Sequence, residues 1–151
     1  MTFENIKDQF AKRAPFFETV GLVLDHVGAG IARAKINNRK DITNHLGSLH
    51  AGALFTLGEG TSGAAVLGAF VDIAEDIRVV STKATIDYLH IARGLTHCEA
   101  RLQEPVDQLR LQLDNEGQVD CHVDVRLVSS SNKDVASMTV TWMILKRRGK
   151  I

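Results

Sequence analysis

The sequence predicts an α+β domain in which an antiparallel sheet of about six strands curls around one long helix, with a short helix ahead of them. Three observations predict it. Alternation of apolar and polar residues with period two recurs in run after run of the chain. One long stretch, His50 to Val71, breaks that pattern: it is mostly apolar, studded with glycine, and has no lysine or arginine. The connections between the later runs look short, which favours antiparallel pairing.

Residues Thr2 to Lys12 carry Phe3, Ile6 and Phe10 at helical spacing among charges. With Thr2 as cap and Pro15 beyond, they predict a short amphipathic helix. Two strand-like runs follow, Glu18–His26 and Ile31–Asn37, joined as a hairpin through Gly28-Ala29-Gly30. The polar Asn37–Asp41 then reads as a loop leading through Thr43, Asn44 and Ser48 into the apolar stretch. Four more strands are expected downstream. Val80, Thr82, Ala84, Ile86 and Tyr88 would share one face of the first, and Thr96, Cys98, Ala100 and Leu102 one face of the second. Val119 to Leu127 and Ala136 to Ile144 alternate in the same way, with Gly94, Glu116-Gly117 and Ser129–Asp134 as turns.

At 151 residues the chain fits a single domain spanning 1–151. Eighteen basic residues balance eighteen acidic ones, so no net field draws it to nucleic acid. Cys98 and Cys121 lack metal-ligand spacing and read as buried thiols. No basic start followed by an apolar run opens the chain, which places the expected site of action in the cytoplasm. The stretch from His50 to Val71 approaches the length of a membrane span, yet five glycines and a central glutamate argue against that, and no membrane association is expected. Its Gly58-Glu59-Gly60-Thr61-Ser62-Gly63 matches GxGxxG only in letters, since no strand-to-helix turn precedes it. Each interior glycine costs about 1 kcal/mol of helix stability relative to alanine, so five need a reason, and close approach of another backbone supplies one.

Glu59 is the informative residue. An ionised carboxylate inside an apolar helix is costly unless partners offset it, and otherwise its pKa rises. Chemistry is one reading; a solvent gap or a distant arginine is the other. His50 opens the helix just after Ser48, a good N-cap candidate, and would leave the first-turn amides of Ala51 and Gly52 free to polarise a carbonyl oxygen or hold an oxyanion. His50 as a mere cap is the alternative. His50 and Glu59 stand about 13 Å apart along the axis and half a turn out of phase, so they cannot serve one site in one chain. Acting together they require a two-fold homodimer with two shared sites.

The order of elements resembles the hotdog fold. Asn44-His45-Leu46-Gly47-Ser48-Leu49-His50-Ala51-Gly52 through Glu59 resembles the acyl-CoA thioesterase motif of the PaaI type: an asparagine, a glycine three later, a histidine three after that, and an acid nine beyond the histidine. Ile86 to Gly94 is similar to that family's third strand and its turn. The resemblance implies hydrolysis of an acyl-CoA, with coenzyme A entering as part of the substrate and no cofactor or metal required. It implies Glu59 as general base or nucleophile, the Ala51 amide as the group polarising the thioester carbonyl, and Asn44 and His50 as orienting groups. Ser81, with Thr82 as the other match, would help hold water, Gly47 and Thr82 would belong to the substrate-binding set, and Arg93 is the candidate phosphate contact or a solvated turn residue. Ala51 stands where the family usually has glycine, and His90-Ile91 replace its common Ser-Pro or Arg-Pro. A homodimer is implied, with assembly into a homotetramer left open. Two other classes compete: a hotdog dehydratase or hydratase, and a non-catalytic acyl-CoA or lipid binder.

Overall fold

In the computed structural model, which describes residues 1–148, ten α-helices and β-strands follow in order. They are α1 (Phe3–Arg13), α2 (Pro15–Val20), β1 (Val23–Gly28), β2 (Ile31–Ile36), α3 (Ala51–Ala69), β3 (Ile77–Tyr88), β4 (Thr96–Leu102), α4 (Val106–Glu116), β5 (Gln118–Ser129) and β6 (Asp134–Lys146). The strands form one six-stranded sheet in the order β1-β2-β4-β5-β6-β3, and every pairing is antiparallel. The last three residues of the 1–151 domain reading lie outside the described residues.

The sheet curls around α3 as its composition demands. A helix apolar on nearly every side must be covered on nearly every side, and fourteen of its residues, from Ala53 to Ala69, are buried. Alternation does the rest: Val119, Cys121, Val123, Val125 and Leu127 of β5 and Ala136, Met138, Val140, Trp142 and Ile144 of β6 are all buried against it. Of the five glycines only Gly68 has the reason expected of them, an approaching backbone; Gly58, Gly60 and Gly63 make room for side chains of the sheet and of the segment before it. A Cβ on Gly68 would stand 2.1 Å from the carbonyl oxygen of Gly28, and one on Gly58 2.7 Å from Met138 Sδ. At Gly68 the obstacle is backbone at the β1–β2 turn, which cannot rotate away. Gly68→Ala is therefore expected to cost about 3 kcal/mol, read as a lower denaturation midpoint with an unchanged m-value.

Four expectations need correction. The run Glu18–His26 is not one strand: Pro15 occupies the first turn of α2, where its fixed φ suits a helix start, and Gly21 at φ 90° ends that helix before β1 begins. The path between β4 and β5 is not a short turn but holds α4, whose Leu109 and Leu113 are buried four residues apart and which Gly117 closes in the left-handed region. The face assigned to β3 is interrupted. A bulge between Ser81 and Lys83 inserts Thr82 as an extra residue, so Ser81 pairs with Trp142 and Ala84 with Val140, while Val80 and Thr82 leave the helix-facing set. Finally, α3 is capped by His50 instead of Ser48.

Among the described residues, no helix is long and apolar enough to cross a membrane. The N-terminal helix is closed as expected: Thr2 and Asn5 form a reciprocal capping box.

Candidate active site

Two places on α3 hold the residues from which chemistry is expected, its N-terminus and Glu59. The N-terminus is built by the loop Asn44–Leu49. Asn44 Oδ1 accepts from the amides of Leu46 (2.9 Å) and Ser48 (3.2 Å) and from Ser48 Oγ (3.0 Å), so its side chain closes the loop. Gly47 makes the turn at φ 72°, a conformation that favours glycine. Leu49 N then donates to Ala92 O, which ties the loop to the segment after β3.

His50 has an extended backbone, and its Nδ1 accepts from Gly52 N at 2.8 Å. The capping reading of His50 thus describes its side chain, and it corrects the expectation of two free amides: Gly52 N–H is occupied. Ala51 N–H, at the first helical position, has no intrahelical acceptor and stands at the positive end of the helix. A cavity of about 320 Å³ opens there, lined by Asn44, Ala51, Leu54, Tyr88, His90 and Ala92 among others. Tyr88 Oη donates to Ala51 O at 3.3 Å, fastening the end of β3 over this first turn.

Glu59 lies two turns further along, about 12 Å from Ala51 at 1.5 Å per residue, and lines none of this cavity. It sits on the one stripe of α3 that the sheet leaves partly open, with Ala51, Gly52 and Phe55. Burial raises the pKa of its carboxyl above the usual carboxylate range; the hydrogen bond from Ser81 Oγ to Oε1, at 3.2 Å, acts in the opposite direction. Among the described residues no arginine pairs with Glu59; its side-chain partner is Ser81. Ser62 Oγ donates to Glu59 O at 2.6 Å and accepts from Trp142 Nε1 at 2.9 Å, so the helical turn bearing the carboxylate is pinned to β6.

The bulge explains why Ser81 meets the carboxylate and Thr82 does not. Thr82 Oγ1 donates to Thr141 O, and the residue lines a groove with Lys83, Thr85 and His122 on the face of the sheet away from α3. Arg93 is exposed and donates to Leu46 O at 3.4 Å, at the rim of the helix start. Tyr88 and His90 also line the cavity: the sequence marks Tyr88 only as a strand residue and His90 only as a replacement in the turn after it, since its ring partner Asp134 is 44 positions away. Among the described residues no three His, Cys, Asp or Glu side chains converge as a metal would need.

Removing the Ser81 hydroxyl tests its hold on the carboxylate. Ser81→Ala deletes the donor that lowers Glu59's pKa, so that pKa is expected to rise further, and any activity needing the ionised form should have its acid limb moved to higher pH. A pH–rate profile of the variant beside wild type reads this.

No curated protein sequence matches this chain. Solved structures do match it. A protein of unknown function from Pseudomonas aeruginosa, described as a probable thioesterase, superposes with a TM-score of 0.82 at 23% identity over 95% of each chain. A hypothetical thioesterase from Streptococcus pneumoniae, solved with coenzyme A, gives 0.72 at 20% identity over 95% of this chain and 99% of that one. The PaaI protein of the E. coli phenylacetic acid degradation operon gives 0.73 at 17% identity over 98% of this chain and 95% of that one. The shared architecture is the hotdog fold, as the motif around Asn44, His50 and Glu59 led one to expect. Over residues 4–144 the sequence matches the family described as "Domain of unknown function (DUF4442)", and to that family the chain belongs.

Proposed function

We propose that this protein hydrolyses acyl-CoA thioesters. The observation that carries the reading is Glu59: a carboxylate with a burial-raised pKa, held by Ser81, on the one open stripe of an otherwise enclosed helix. A base whose pKa is moved toward the working pH is what proton abstraction from water requires. In the proposed reaction the thioester carbonyl oxygen accepts the Ala51 N–H, where the helix dipole stabilises the charge that develops. Glu59 takes a proton from water, the hydroxide adds to the carbonyl carbon, and the C–S bond breaks with release of the thiolate, which regains the proton. Direct attack by the carboxylate, through an anhydride, is the other form of the same chemistry.

The two groups belong to different protomers in this reading. Ala51 and Glu59 of one chain are too far apart along the axis for one thioester, so the partner subunit must supply the second. Support comes from β3, a twelve-residue strand at the sheet edge. Its helix-facing Val79, Ala84 and Ile86 are only half-buried, and Tyr88, Leu89 and Ile91 are about half-exposed. A long exposed edge with an uncovered apolar face is a pairing surface.

The test is release of free thiol from a panel of acyl-CoAs of different chain length and polarity. Turnover of at least one member is expected. Hydration of crotonyl-CoA without thiol release would replace the hydrolase by a lyase, and tight acyl-CoA binding with every thioester surviving would replace it by a binding protein.

A further inference from the structure

Two histidines flank the start of α3, and their partners fix them as opposite tautomers. His50 Nδ1 accepts from Gly52 N, so its ring proton sits on Nε2. His90 Nδ1 lies 2.7 Å from the backbone oxygen of Asp134. A carbonyl oxygen can only accept, so here the proton sits on Nδ1 and the neutral ring keeps its lone pair on Nε2. The residue is also held through its backbone: Leu89 N and His90 N both donate to Val135 O, at 2.9 and 3.3 Å. Its orientation is thus set before any ligand arrives, which is what a recognition group needs.

His90 and Ala51 line the same cavity of about 320 Å³. The other polar side chains of that wall are engaged: Asn44 and Ser48 bond each other at 2.9 Å, and the Tyr88 hydroxyl donates to Ala51 O. The wall thus offers a donor in Ala51 N–H and, with the tautomer set by Asp134 O, an acceptor in His90 Nε2. A pantetheinyl thioester presents the complement in the same order, a carbonyl oxygen that accepts and, two methylenes beyond the sulfur, an amide N–H that donates. The cavity is at the small end for ligand pockets, with room for the thioester and the cysteamine unit and none for the nucleotide.

We propose that His90 Nε2 accepts the N–H of the amide nearest the thioester sulfur, which makes His90 a specificity residue for thioesters built on a cysteamine unit. The inference rests on the thioesterase reading above. A simple alkyl thioester lacks that N–H and leaves Nε2 without its partner, which a site built around such a bond penalises.

The experiment compares two thioesters of one acid, the N-acetylcysteamine thioester, which carries the amide, and the S-propyl thioester, which does not. The quantity read is the ratio of their kcat/KM values in wild type, His90→Ala and His90→Gln. The ratio is expected to fall about threefold to tenfold in His90→Ala, the scale of one hydrogen bond, and to recover in His90→Gln, whose side-chain oxygen accepts. Because both substrates meet the same enzyme, partial misfolding of a variant cancels from the ratio. An unaltered ratio in His90→Ala, with wild type active, overturns the role of His90 and leaves the hydrolase standing. A wild type that cleaves neither these nor any acyl-CoA overturns the hydrolase reading itself.

Discussion

Glu59→Gln is expected to lower kcat/KM toward acyl-CoA by about 10²- to 10⁴-fold, the range for a lost general base, while making the protein more stable at neutral pH. The two effects share one cause. Burial raises the carboxyl's pKa in the folded chain, so between the unfolded and folded pKa values the native state holds a proton that the unfolded chain has given up. Stability contributed by the protonated form is present below the unfolded pKa and lost as pH rises through the folded one. Glutamine keeps the shape and hydrogen-bonding capacity of the protonated acid and has no charge to desolvate. Its advantage over wild type should therefore grow as pH rises from the ordinary carboxylate pKa through the raised folded one, seen as a widening gap in Tm. Activity runs the other way with pH, because the base must be ionised. Full activity in Glu59→Gln would remove the carboxylate from the mechanism; a loss of activity with a fall in Tm at every pH would mark it as structural.

The parts of this molecule that sequence reveals are those where one residue's environment repeats along the chain. Period two names the buried faces of Val119–Leu127 and Ala136–Ile144 correctly because each run keeps its phase, the register shift of that pair falling just beyond them at Leu127/Val128. Gly68 is legible as a close approach because a helix has little other use for glycine, although nothing local says that Gly28 is what approaches. The bulge at Thr82 is hidden for the opposite reason. One extra residue inverts the phase without changing composition, and Val80, Thr82 and Ala84 continue to look like one face. The helix α4 buries Leu109 and Leu113, but exposed Leu111 between them gives the segment a period of two that masks the helical spacing. The site divides along the same line. The motif from Asn44 to Glu59 is local and could be read, whereas the meeting of Glu59 with Ser81 and of His90 with Asp134 depends on strand register.

The Ala51 amide can be deleted without touching a side chain that holds the fold. Proline at the first position of a helix is favoured, since the N–H it lacks has no intrahelical acceptor and its ring suits the helical φ. The residue before a proline is pushed to extended backbone, and His50 already stands at φ −63° and ψ 144°. Ala51→Pro should therefore fold with little change in Tm and lose about 10²- to 10³-fold in kcat, the cost of one oxyanion donor. Its larger value lies in a mixture. If each site joins Ala51 of one protomer to Glu59 of the other, a heterodimer of Ala51→Pro and Glu59→Gln chains contains one site with both defects and one with neither. Random reassortment of equal amounts makes half the dimers mixed, so about a quarter of wild-type activity should return from two nearly inactive proteins. Each chain of the pair carries only half of what a site needs, so sites confined to one chain would stay dead however the protomers were paired. Recovery on mixing, measured after unfolding and refolding the two variants together, would assign the carboxylate and the amide to different subunits by function alone.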